Sequence, residues 1–153
     1  MLVYEVMSQP VVTCRENDSL NEAARAMWEH DCGSIPVVDD HQRLTGIVTD
    51  RDICMAAYTQ GKVLSDIEVS LAMAKTVISC RREEAVERAE TLMSENQIRR
   101  IPVVDDENRL QGIVSLSDIA KNAPTSNANE MNAQVTHTLA TICRSDHRAM
   151  VSV

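Results

Sequence analysis

The chain has 153 residues, 44% hydrophobic and 25% charged, the composition of an ordinary globular protein long enough to bury roughly two thirds of its unfolded surface. Fifteen basic against 23 acidic residues give a net charge of −8, a field that repels nucleic acid and anionic lipid, and no apolar run reaches the roughly 20 residues that span a bilayer. Three aromatic side chains, Tyr4, Trp28 and Tyr58, are too few for a base-stacking platform, so a planar ligand would have to lie between aliphatic groups.

In chain order, Val3 to Met7 reads as a short helical turn, and the β-branched run Val11-Val12-Thr13 after Pro10 suits the start of a strand. Leu20, Ala23, Ala24 and Met27 follow helical spacing behind Ser19 and Glu22, which are placed as a capping box. Ile35 to Asp39 is an apolar strand, Asp39 to Arg43 a polar turn in which the two aspartates serve turn formation, and Leu44 to Thr49 a second strand that pairs with the first as a hairpin. A second helix starts near Asp50 and ends at Gly61. The order then repeats: a shift of 66 residues lays segment 35–53 on 101–119 without a gap, and 18 of the 40 pairs from 14 to 53 are identical. Residues 1–61 form one unit, 62–67 a linker and 68–122 a second unit. One unit alone would have a marginal core, so the two are expected to pack sheet to sheet about a pseudo-two-fold axis. The tail 123–153 lies outside the repeat; after the helix-breaking stretch Pro124 to Asn127, Met131, Val135, Leu139 and Ile142 predict one more amphipathic helix.

The five cysteines include no C-x-x-C pair and the chain shows no charged-then-apolar leader, which reads as free thiols in a reducing cytoplasm. With four glycines there is neither a G-x-G-x-x-G turn nor a phosphate-cradling P-loop, and neither H-E-x-x-H nor G-x-S-x-G occurs. No catalytic centre is visible, and the protein is not expected to be an enzyme. A metal held by His137, Cys143 and His147 is set aside, since nothing fixes their geometry. The most informative pieces are Gly46-Ile-Val-Thr-Asp-Arg-Asp52 and Gly112-Ile-Val-Ser-Leu-Ser-Asp118. In each, a strand ends on a hydroxyl (Thr49, Ser115) and an aspartate follows three residues later (Asp52, Asp118). Two readings stay open from the residues: a plain capping box, or a helix start whose free N–H groups and hydroxyl hold a phosphate while the aspartate takes ribose hydroxyls. Arg99 and Arg100, just before the second copy's first hairpin strand, form a plausible bidentate phosphate clamp, or else pair with Glu95 or Asp105-Asp106. Arg51 offers the first copy a weaker version.

Two copies of Ile-Pro-Val-Val-Asp, a turn, and Gly-Ile-Val-[Thr/Ser]-x-x-Asp-Ile resemble a tandem pair of cystathionine-β-synthase-type (CBS) domains, a Bateman module. The resemblance covers about residues 1–122. It implies an α+β fold of two β-α-β-β-α motifs packed sheet to sheet, with a helical tail added here, and two clefts that in relatives take AMP, ADP, ATP, NAD or S-adenosylmethionine. By that resemblance Thr49, Asp52, Ser115 and Asp118 contact phosphate and ribose, with Arg99 and Arg100 reaching the phosphates. Val12-Thr13, Ile35-Pro36, Ile78-Ser79 and Ile101-Pro102 would wall the adenine. Ser115-Leu-Ser in place of Thr49-Asp-Arg makes the two clefts unequal. The module is expected to act as a stand-alone nucleotide sensor without a cofactor, paired as a homodimer and regulating an unidentified protein; the alternative is a structural dimerisation module with empty clefts.

Overall fold

Local signals in each repeat lead to the same elements, in a computed structural model that describes residues 1–122 and 128–143. The first repeat contains α1 (Val3–Val6), α2 (Leu20–Glu29), β1 (Ser34–Val38), β2 (Leu44–Thr49) and α3 (Asp50–Gln60). Two 3₁₀ turns, Leu64–Asp66 and Val69–Leu71, lead into the second, with β3 (Cys80–Arg81), α4 (Val86–Asn96), β4 (Arg100–Val104), β5 (Leu110–Ser115) and α5 (Leu116–Lys121). The tail helix is α6 (Ala128–Cys143). The expected break at Pro124 to Asn127, the side chains of Met131 and Cys143, and His147 lie outside the described residues. The result is the expected α+β pair of motifs. Among the described residues no helix is long and apolar enough to cross a membrane.

The chemistry that starts and stops these elements is simple. Ser19 and Glu22 form the predicted box, the Ser19 amide donating to the Glu22 carboxylate at 2.8 Å and the Glu22 amide to the Ser19 hydroxyl at 3.2 Å. Gly61 ends α3 in the left-handed region at φ 61°, where a side chain would be strained. Asp39 and Asp105 close the hairpin turns, each accepting two backbone amides, from His41 and Arg43 and from Glu107 and Arg109. Those hydrogen bonds, the one from the residue four positions on foremost, hold both carboxyls below the usual carboxylate range.

The strand expected at Val11 to Thr13 does not pair as one. Pairing begins only at Cys14, in a single parallel bridge to Val37, and in the second copy at Cys80–Arg81 beside Val103 and Val104. The Cys14 amide donates to the Pro36 carbonyl and the Val38 amide to the Cys14 carbonyl. One step earlier the amide facing Val12 would be that of Pro36, which has no N–H to donate. Pro102 sets the same limit on β3.

The amino-terminal turns are exchanged between the repeats. The turn α1 is bonded to the second copy, with Val3 donating to the Glu84 carbonyl, Val86 to that of Met1, and Ser8 and Ile113 bonded in both directions. Each bond recurs 66 residues on: Val69 donates to Asp18, Leu20 to Ile67, and Ala74 and Ile47 bond in both directions. Val3 and Val6 therefore sit in the core of the second copy, and Ile67, Val69 and Met73 in that of the first. The segment read as a linker thus ends on a residue, Ile67, that is fully buried in the first core. Met7 and Met73 cross Gly112 and Gly46 so closely that a Cβ at either glycine would meet the sulfur at 2.6 Å. The hairpin ends also join, Leu44 donating to the Asn108 carbonyl and Leu110 to that of Gln42, each at 2.9 Å.

Two outcomes are expected. Gly46→Ala and Gly112→Ala should each lower unfolding free energy in urea by about 1–3 kcal/mol through overpacking, with the m value unchanged. Burial, with Asp18 and Glu84 adding, pushes the Cys14 and Cys80 thiols up to about 12. At pH 8 a thiol reagent should therefore label exposed Cys54 rapidly in the native protein and reach Cys14 and Cys80 only on unfolding.

Candidate functional site

The hairpin register places the same positions of both copies at the rim of one depression. Ser34 opposes Thr49 in the first ladder and Arg100 opposes Ser115 in the second. A backbone bond from each helix start to the residue before each strand, Asp50 to the Gly33 carbonyl at 3.1 Å and Leu116 to the Arg99 carbonyl at 3.0 Å, then fixes residues 33 and 99 beside those starts. The cleft so formed has a volume of about 1340 Å³ and draws on both repeats. Thr49, Arg51 and Asp52 line it from the first copy, and Ile78, Arg99, Arg100, Pro102 and Ser115 from the second. Two separate clefts were expected; the halves run together here.

Both capping boxes are formed. The Thr49 amide donates to Asp52 Oδ2 at 2.9 Å and the Asp52 amide to Thr49 Oγ1 at 3.1 Å. The Ser115 amide donates to Asp118 Oδ2 at 2.9 Å, the Asp118 amide to Ser115 Oγ at 3.2 Å, and the Ser115 hydroxyl to Asp118 Oδ2 at 2.6 Å. In both boxes the cap uses one carboxylate oxygen and leaves Oδ1 to other partners. The capping reading therefore holds, and it does not exclude a ligand on the remaining groups.

Arg99 and Arg100 are exposed, and among the described residues neither forms a salt bridge. Asp105 is paired with Arg109 Nε at 2.9 Å and Asp106 with Arg81 at 3.4 Å, at the far end of β4 from the arginine pair, and Glu95 forms no salt bridge among the described residues. Arg100 reaches toward the first copy: its Nη1 lies 3.7 Å from where a Cβ on Gly33 would stand, and Asp50 Oδ2 lies 3.1 Å from the same point. Gly33 thus leaves room for a guanidinium and a carboxylate to approach. The Ser34 hydroxyl beside them is buried with no hydrogen-bond partner among the described residues.

Other expected residues lie elsewhere. Ile35 and Ile101 are fully buried in their own cores and do not wall the cleft, because strand alternation turns Pro36 and Pro102, not the isoleucines, to the opposite face. Of the two prolines only Pro102 lines the cleft. Asp118 and Ser79 are not among the lining residues, Val12 packs against the first core, and Thr13 lines a separate depression of about 290 Å³ with Gln42 and Gln111. Three lining groups carry signals that sequence reasoning passed over: Trp28, a tryptophan on the polar side of α2; Ser34; and Val135 with Leu139 on α6. Among the described residues no group of three or more His, Cys, Asp or Glu side chains is placed to hold a metal.

As caps, Thr49 and Ser115 should matter without any ligand: Thr49→Ala and Ser115→Ala should each reduce stability in urea by about 0.5–2 kcal/mol in nucleotide-free buffer.

The sequence profile of the CBS domain matches residues 3–58 and 64–124. The chain is 40% identical over 120 residues to the CBS domain-containing protein YhcV of Bacillus subtilis, covering 78% of this chain and 84% of that one. It is 36% identical over 120 residues to the L-aspartate semialdehyde sulfurtransferase and 38% over 117 residues to the inosine-5'-monophosphate dehydrogenase of Methanocaldococcus jannaschii. These alignments take in 78% and 76% of this chain, and the chain spans only 23% and 22% of the two enzymes. The crystal structure of the CBS domain pair of protein MJ0100 in complex with 5'-methylthioadenosine and S-adenosyl-L-methionine superimposes with a TM-score of 0.72 at 35% identity, over 79% of this chain and 94% of that one.

Proposed function

The chain belongs to the CBS domain family, and from that premise we propose that it is a ligand-sensing regulatory module whose shared cleft takes an adenosine nucleotide of the AMP, ADP or ATP kind. The observation that carries the proposal is the pair Arg99 and Arg100, exposed on the cleft and without a carboxylate partner among the described residues, in a protein of net charge −8. Long-range attraction cannot gather an anion here, so the local guanidinium pair must. Adenosine chemistry is supported by the MJ0100 domain pair, which holds two adenosine derivatives.

In the proposed complex Arg99 and Arg100 hold phosphate, the Thr49 hydroxyl donates to it, the Ser115 hydroxyl turns from Asp118 to donate as well, and Asp52 takes ribose hydroxyls through Oδ1. Ile78 and Pro102 pack on the base. Arg51 stands across the cleft from the main clamp. Binding selects one arrangement of the two repeats, and the output is that conformational shift rather than a chemical step. The setting proposed is the cytoplasm, with a separate protein as the regulated target.

A second reading, a structural pairing module, draws on Trp28 and Tyr58, which are 88% and 82% exposed on α2 and α3. The two readings also combine in a homodimer that senses a nucleotide.

Millimolar AMP, ADP or ATP should raise the melting temperature. The double variant Arg99→Ala/Arg100→Ala should lose most of that shift for the nucleotides while keeping it for 5'-methylthioadenosine, which has no phosphate. A melting temperature indifferent to every adenosine compound but rising with protein concentration would favour the structural module instead.

A further inference from the structure

Among the described residues every group lining the cleft belongs to the two repeats except Val135 and Leu139 of the tail helix. In the first half the outer wall comes from α2, through Ala24 and the exposed Trp28. Shifted by 66 residues those positions are Glu90 and Ser94, and neither lines the second half. Val135 and Leu139 of the tail helix line the cleft there instead, in company with Ile98, Leu116 and Ala120.

The two tail residues stand four apart and so share one face of α6. They do different things. Val135, with Ile142, is half-buried against the core of the second copy and anchors the helix, whereas Leu139 is 44% exposed. The helix does not plug the cleft, since about 1340 Å³ remains open with α6 in place, above the few hundred cubic ångströms a drug-sized ligand needs.

From this geometry we infer that α6 is a ligand-contacting wall of the second half, with Leu139 a binding residue, so that occupancy beside Arg99 and Arg100 sets how firmly the tail is docked. The inference rests on the nucleotide reading above. Coupling is reciprocal: if the docked tail strengthens binding, the ligand strengthens docking by the same factor. Trp28, the chain's single tryptophan, lines the same cleft from the first repeat, so its fluorescence reports occupancy from that side.

The test uses the full chain and AMP as the probe, with S-adenosylmethionine as a second. Calorimetry and Trp28 fluorescence are recorded for the wild type, Leu139→Asp and Leu139→Met. Leu139→Asp should weaken calorimetric binding about tenfold, from lost apolar contact and a carboxylate brought near the phosphate, while Leu139→Met stays close to wild type. The Trp28 signal should follow the calorimetry, its midpoint moving about tenfold in Leu139→Asp and staying close to wild type in Leu139→Met. Saturating ligand should also slow amide exchange across 133–143 in the wild type. Unchanged affinity in Leu139→Asp, or exchange in α6 indifferent to ligand, would overturn the inference. If the wild type binds neither probe, the nucleotide reading itself fails, and that is seen before any variant is compared.

Discussion

The architecture depends on a reciprocal crossing in which each repeat lends its amino-terminal turn to the other. Met7 lies over Gly112 and Met73 over Gly46, and the backbone on both sides is fixed by paired bonds, Ser8 with Ile113 and Ala74 with Ile47. A unit of about 60 residues buries too little apolar surface to be more than marginally stable by itself. Here neither unit has a complete core alone, because Val3 and Val6 fill one and Val69 and Met73 the other. Folding of the repeats is thereby coupled, since each core is completed by a turn of the other.

The prolines of Ile-Pro-Val-Val act on both faces of this arrangement. Lacking an N–H, Pro36 and Pro102 stop the parallel ladder and leave the segments before Cys14 and Cys80 without strand pairing. Strand alternation turns the same prolines away from the cores while the flanking isoleucines and valines fill them. A pocket can open beside such a strand without breaking the core.

Backbone symmetry is close and side-chain symmetry is not. The non-glycine residues with positive φ fall in pairs 66 apart, Asp31 with Gln97 and Gln42 with Asn108, so loop geometry is repeated. Chemistry has diverged on that frame. Gly33 and Ser34 correspond to Arg99 and Arg100, Asp50 and Arg51 to Leu116 and Ser117, and Trp28 to Ser94. Among the lining residues the aspartates come from the first repeat, with Arg51 beside them, and the arginine pair from the second.

What the sequence determined by itself was whatever depends on neighbours along the chain. The 66-residue repeat, the boxes at Ser19, Thr49 and Ser115, the turns on Asp39 and Asp105, the stop at Gly61 and the helical period of α6 are local in origin, and so were legible. The residues around Thr49, Ser115, Arg99 and Arg100 were legible as a candidate site for the same reason. Tertiary structure alone decided which copy each amino-terminal turn packs on, since Val3 and Val69 are apolar turns of the same kind and nothing local tells a turn which core to fill. It also decided that Ile35 and Ile101 belong to the cores, that Trp28 and Leu139 reach the cleft, and that the two halves are continuous. Those outcomes depend on contacts between residues far apart in sequence, where periodicity carries no information and only the packing of one repeat against the other settles the matter.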